Sequence, residues 1–233
     1  MDHAVTRKHE KTAPRWWEGW SLLQASVHLG AWLPAFAIAW SLLSDDLTAN
    51  PIQALEQRTG KAALVLLVLS LACTPAHFLT GYRPILKLRR PLGLYALLYA
   101  GLHFSIFVGV DYAFDLGLIW ADVHNKAFIL VGLTAGILLL ALGATSFPWA
   151  MRRLGKNWKR LHRLIYPAGL LVVLHYAWSK KGDVFGLRGD ILQPLLFAGL
   201  VTLLLLVRVP AIKRWILRMR QARVGNPTST SSP

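Results

Sequence analysis

Arg-Arg-Pro-Leu-Gly-Leu-Tyr-Ala-Leu-Leu-Tyr-Ala-Gly-Leu-His-Phe-Ser-Ile-Phe-Val-Gly-Val, residues 89–110, decides the architecture. Two arginines and a proline lead into a run from Leu92 to Val110 without Asp, Glu, Lys or Arg, broken only by His103. About 20 such residues, rising 1.5 Å each, match the hydrocarbon thickness of a bilayer. A second stretch, Leu-Ile-Tyr-Pro-Ala-Gly-Leu-Leu-Val-Val-Leu-His-Tyr-Ala-Trp at 164–178, repeats the design with His175 near its end. Ionisable side chains are costly in lipid, so these two histidines are functional candidates.

Four more apolar runs flank them: Leu22 to Leu43, Ala62 to Leu79, Ala127 to Phe147 and Ile191 to Val207. The expectation is an all-α integral membrane bundle of six transmembrane helices. It occupies residues 22–209, between an N-terminal segment, 1–21, and a basic tail, 210–233, whose end after Arg223 has a disordered composition. The fifth run spans only if Leu161, His162 and Arg163 join its helix, with the arginine head snorkelling. The first run is too long for a signal-peptide core and reads as a retained anchor. No internal repeat is visible beyond the alternation of span and loop.

Composition agrees. Of 233 residues 55% are hydrophobic and 16% charged, too apolar for an ordinary soluble domain. The net charge of +15 does not mark a nucleic-acid surface, because the basic residues sit in short blocks between uncharged runs. Of 26 lysines and arginines, 20 fall in the N-terminus, the Arg83–Arg90 and Arg152–Arg163 loops, and the tail with Arg208 just before it. Eight of the eleven carboxylates, among them Asp45, Asp46, Asp111, Asp115 and Asp122, fall on the opposite side. The positive-inside rule places both termini in the cytoplasm. The acidic loops read as solvated charge or as a docking face for a partner. Cys73, alone in an apolar run, excludes disulfides within the chain and reads as a small core residue.

Depth sorts the eight histidines. His3, His9 and His124 lie in polar segments, where solvation is expected, and His28 and His77 suit interhelical hydrogen bonds. His103 is 13 residues after Arg90 and His175 is 12 after Arg163, so both lie roughly 18–20 Å from the same face. Spans three and five run in the same direction, which makes the two imidazoles level. Level histidines on separate helices are what a haem iron needs for its axial positions. His162, 13 residues before His175, has a rise suited to a second haem. On an ideal helix the two rings would point about 140° apart, so the reading needs a kink, for which Pro167 is available. Level with His162 on span three stand Arg89 and Arg90, which cannot ligate iron but suit haem propionates or an anionic headgroup. One haem is therefore expected, with a second open; His162 suits a quinone or a propionate equally.

Tyr95 and Tyr99, eight and four residues before His103, can share its face, lining a pocket or packing. Trp16, Trp17, Trp20, Trp40, Trp120, Trp149, Trp178 and Trp215 fall near span ends, as in an interfacial belt. No phosphate loop, nucleotide fingerprint or nucleophile constellation is present, so no catalytic residue is assigned and a hydride donor would have to bind another protein.

Residues Arg89 to His103, Arg152 to Tyr166 with its Trp-Lys-Arg-Leu-His-Arg-Leu core, and Leu-His-Tyr-Ala-Trp at 174–178 together resemble the MsrQ family; Asn50-Pro51 and Thr74-Pro75 also fit. This family comprises haem-binding membrane subunits within the ferric-reductase-like transmembrane superfamily. The resemblance covers roughly Trp32 to Val207. It implies haem b on His103, His175 and His162, and electrons drawn from the quinone pool across the bacterial inner membrane. Their recipient would be a periplasmic molybdopterin-containing methionine sulfoxide reductase, which does the sulfoxide chemistry. The resemblance also implies a link to flavin mononucleotide, though no residue here locates it. Against the wider superfamily, span three carries one histidine instead of two, and no flavin and nicotinamide domain follows span six. A metal reductase acting at the outer face would share the core without the partner. A transporter or scaffold would have to rely on histidine alone, since no carboxylate falls in the six runs.

Overall fold

The computed structural model describes residues 22–180 and 191–224, and all regular structure among them is helical. The N-terminal segment with His3, His9, Trp16, Trp17 and Trp20, and the tail beyond residue 224, lie outside the described residues. In chain order the helices are α1 (Leu22–Leu43), α2 (Pro51–Thr80), α3 (Arg89–Ile106), α4 (Leu116–Asn125), α5 (Ala127–Ala144), α6 (Pro148–Leu154), α7 (Lys156–Leu161), α8 (Ile165–Ser179), α9 (Leu192–Leu206) and α10 (Pro210–Val224). A 3-10 turn, Arg83–Leu88, leads into α3, and a π turn, Phe107–Asp111, ends it.

α2 is the central helix. Its residues Leu64, Leu67 and Leu71 are almost fully buried, and it packs most extensively on α3, while α5 packs on α8. The end carrying the Arg83–Arg90 and Arg152–Arg163 segments is called the basic end, and the one carrying Asp45, Asp46, Asp111 and Asp122 the acidic end. α2 and α5 run from acidic to basic end, and α3 and α8 run back.

Charge misleads at the start of α2. The apolar run begins at Ala62, yet the helix begins eleven residues earlier and contains Glu56, Arg58 and Lys61. Asn50 caps it by accepting from the Gln53 amide at 3.1 Å, and Pro51 fills the first turn, where its missing N–H costs nothing. Helices obey capping and backbone hydrogen bonding, whereas hydropathy reports only the lipid-facing part. Glu56 thus lies within a membrane-length helix. At the other end Gly81 adopts φ 76°, and its amide donates to the His77 carbonyl, a left-handed C-terminal cap.

α1, α2, the Arg83–Asp111 helix and α5 are long and apolar enough to cross a membrane, and α9 with α10 makes a fifth candidate if a 76° bend between them is allowed. α8 has 15 residues and falls short by itself. The continuous helix expected from Leu161 is not formed, because His162–Leu164 is a 3-10 turn. Pro167 accordingly sits in the first turn of α8, where it is tolerated, and does not kink the helix interior. Three residues at about 120° each instead of about 100° bring the His162 and His175 side chains roughly 60° nearer in phase than on an ideal helix.

α1 is tied to α3 by the two tyrosines. Pro34 disrupts hydrogen bonding inside α1. The Tyr99 hydroxyl enters there, donating to the Ala31 carbonyl at 2.7 Å and accepting from the Ala35 amide at 3.0 Å. Tyr95 places its hydroxyl 2.9 Å from His28 Nδ1. Both tyrosines therefore serve packing, and His28 makes the interhelical bond expected of it. Cys73 is a buried core residue bonded to the Leu69 carbonyl. Trp40, Trp120, Trp149, Trp178 and Trp215 are exposed, in keeping with a belt.

Candidate functional site: a paired histidine notch

His103 on α3 and His175 on α8 meet at the acidic end with ring centres 6.1 Å apart and planes inclined at 70°. Each ring is held the same way. His103 Nδ1 lies 3.0 Å from the Glu56 carbonyl of α2, and His175 Nδ1 lies 2.8 Å from the Phe128 carbonyl of α5. A carbonyl only accepts, so each Nδ1 carries the proton and donates it. Nε2 is then left with its lone pair, as a metal ligand requires.

A glycine makes room for each ring. Four residues past Glu56 and Phe128 stand Gly60 and Gly132, one helical turn along the same face. A Cβ on Gly60 would lie 3.4 Å from His103 Nδ1, a tight contact. One on Gly132 would lie 2.6 Å from His175 Nδ1 and Cε1, which only glycine avoids.

The separation suits a bound metal. With each Nδ1 committed to a carbonyl and the ring centres 6.1 Å apart, the two imidazoles could hold one metal ion between them through Nε2. Among the described residues no three His, Cys, Asp or Glu side chains cluster as a metal site. A porphyrin supplies four of its own nitrogens, so two histidines are the number it needs.

The two notches are copies. Both hydrogen bonds join residues 47 apart in sequence, and Phe128, Gly132 and His175 each follow Glu56, Gly60 and His103 by 72 residues. Ala96 and Ala168, which share that offset, are both fully buried. The α2–α3 and α5–α8 hairpins thus form an internal repeat that sequence reading did not detect. Apart from the Gly60/Gly132 and His103/His175 pairs, the identities at this offset are mostly alanines and leucines, which do not stand out in apolar runs.

By the same offset His162 corresponds to Arg90. His162 lies at the basic end, its Nε2 3.3 Å from Thr145 Oγ1 and its ring stacked 4.1 Å from Trp158, whose indole N–H donates to the Thr145 carbonyl. The Arg90 guanidinium lies over Phe147, two residues beyond Thr145, so it and His162 gather at one end of α5. Arg89 turns the other way, donating to the Leu86 carbonyl and to Thr74 Oγ1 of α2. None of the three reaches the paired notch, which lies about 20 Å along the helix axes.

His77 Nδ1 is buried without a hydrogen-bond partner, so the expected interhelical bond is absent at that atom. His124 is exposed on α4. In the acidic loops Asp115 caps α4, accepting from the Gly117 and Leu118 amides. Asp122 accepts from Lys126 Nζ at 2.6 Å and from the Tyr112 hydroxyl. Lys126, then Tyr112, hold the Asp122 carboxyl below its usual range, while burial first and Asp122 second push the Tyr112 phenol up. Two of the three loop aspartates are thus committed to local structure.

A family model described as a ferric reductase like transmembrane component matches residues 59–173. A protein-methionine-sulfoxide reductase heme-binding subunit MsrQ from Rhodospirillum rubrum is 43% identical over 191 residues, 81% of this chain and 88% of that protein. Proteins of the same name from Bordetella pertussis and Xanthomonas campestris pv. campestris are 42% and 40% identical over 191 and 210 residues. These cover 82% and 88% of this chain, and 89% and 92% of the relatives. With a helical bundle, a matching ferric-reductase-like segment and this similarity along most of its length, the chain belongs to the MsrQ family of multi-pass membrane proteins.

Proposed function

We propose that this chain is the haem-binding electron-transfer subunit of a methionine sulfoxide reductase system, with haem b between His103 and His175. The observation that carries it is the pair of histidines whose Nδ1 protons are both committed to backbone carbonyls, with ring centres 6.1 Å apart. Haem, when bound, supplies a one-electron carrier. The residues do the rest. The Glu56 and Phe128 carbonyls fix each tautomer and raise the basicity of Nε2. Gly132 lets the ring lie against α5.

The wider proposal has six crossings. With its preceding 3-10 turn, α8 reaches about 28 Å, close to the hydrocarbon thickness. Positive charge places the basic end and both termini in the cytoplasm of a bacterial inner membrane. Electrons then enter from quinol at the basic end, where Arg90 and His162 gather, and leave near the acidic end. There a periplasmic molybdopterin-containing reductase accepts them and reduces the sulfoxide. Protein in lipid discs, given a reduced quinol and the soluble reductase, should support turnover of a methionine sulfoxide substrate. Turnover with a chelated ferric salt alone, and none with the reductase, would favour the metal-reductase reading and overturn this one.

A further inference from the structure

Between α1 and α2 runs a groove of about 590 Å³ whose walls are almost wholly apolar. Gly30, Ala31 and Pro34 form one wall, and Ala62, Val65 and Leu69 the other. It extends from Ser26 to Ile38 on α1 and from Arg58 to Leu69 on α2, roughly 16–18 Å along the helix axes. Small residues leave the helices apart here. No side chain of the bundle lies within 4 Å of where a Gly30 Cβ would stand. Such a volume and length suit one acyl chain.

Arg58 and Lys61 line the acidic end of the groove. Their recorded partners are neutral: Arg58 donates to Ser41 Oγ at 2.6 Å, and Lys61 to Gln193 Oε1 at 3.3 Å. The one ion pair among the described residues is Lys126–Asp122, so neither cation pairs with a carboxylate among those residues. Two cations at the mouth of an acyl-length groove are complementary to a phosphate headgroup with its tail lying inward.

We infer that this groove is a binding site for an anionic phospholipid, which completes the α1–α2 interface and holds α1 to the bundle. Tyr95 and Tyr99 secure α1 against α3; the lipid fills the side that faces α2. The site is separate from the histidine notch and does not depend on what the notch carries.

The test is native mass spectrometry of the detergent-purified full chain titrated with phosphatidylglycerol or phosphatidylcholine of identical chains. Wild type should retain phosphatidylglycerol roughly 10- to 30-fold more tightly, as two basic residues at a membrane surface imply. Arg58→Gln with Lys61→Gln should remove that preference, and Gly30→Leu, which fills open space, should displace both lipids. Far-ultraviolet circular dichroism and a monodisperse elution profile show that each variant is folded, whatever the notch carries. Equal affinity of wild type for the two lipids would overturn the site, and needs no variant to fold. A co-purified quinone or a second copy of the chain filling the groove, with no phospholipid bound, would overturn it too.

Discussion

Replacing Gly132 with alanine should dislodge His175. The added Cβ would lie 2.6 Å from two ring atoms and 3.1 Å from a third. Ordinary carbon contacts are about 3.5–4.0 Å, so the ring must withdraw by about 1 Å. That stretches the 2.8 Å bond to the Phe128 carbonyl beyond hydrogen-bonding range. Losing such an outer partner of a metal ligand lowers affinity by about 10–100-fold, some 1.4–2.8 kcal/mol. Alanine is the better helix former by about 1 kcal/mol, so any loss cannot come from weakening α5. Gly60→Ala is the control. There the new Cβ meets His103 Nδ1 at 3.4 Å, which a shift of a few tenths of an ångström relieves, and we expect less than about a threefold change. Haem titration of the two apoproteins, followed by absorbance, reads both numbers. Wild-type affinity in Gly132→Ala, or equal losses in both, would refute the reasoning.

Tyr99→Phe removes the hydroxyl that bridges Ala31 and Ala35 beside Pro34, which should cost about 1–3 kcal/mol and lower the melting temperature while leaving the haem spectrum intact. An unchanged melt would mean that α1 closes its own hydrogen bond without the tyrosine. Asp122 has a depressed pKa when folded, so its hold on Tyr112 and Lys126 is present above the ordinary value of 3.8 and lost as pH falls through the lower folded value. Hydrogen exchange over residues 112–126, corrected for intrinsic rates, should show wild type losing protection below about pH 4. Asp122→Asn should lack that protection at every pH, and identical profiles would disprove the link.

Much of this was legible because lipid makes depth countable. Counting from Arg90 and Arg163 placed His103 and His175 level, and the rings do meet. The same count put His162 and Arg90 at the opposite end, where both are found beside α5. What escaped notice is what hydropathy does not encode. Glu56, Arg58 and Lys61 looked like the end of a span because they are charged, but an asparagine cap carries the helix through them. The carbonyls that orient the histidines belong to residues whose side chains are irrelevant to the task. The glycines beside them gain meaning only once the rings are placed. Tyr99 and Tyr95 sit one and two turns from His103, yet both bind α1, Tyr99 at the break beside Pro34 and Tyr95 at His28.

The central measurement is haem content and the reduced-minus-oxidised absorbance of purified wild type beside His103→Ala, His175→Ala and His162→Ala. We expect His103→Ala and His175→Ala each to abolish a low-spin b-type signal and His162→Ala to leave most of it. Full signal in both His103→Ala and His175→Ala would contradict the paired notch as the haem site.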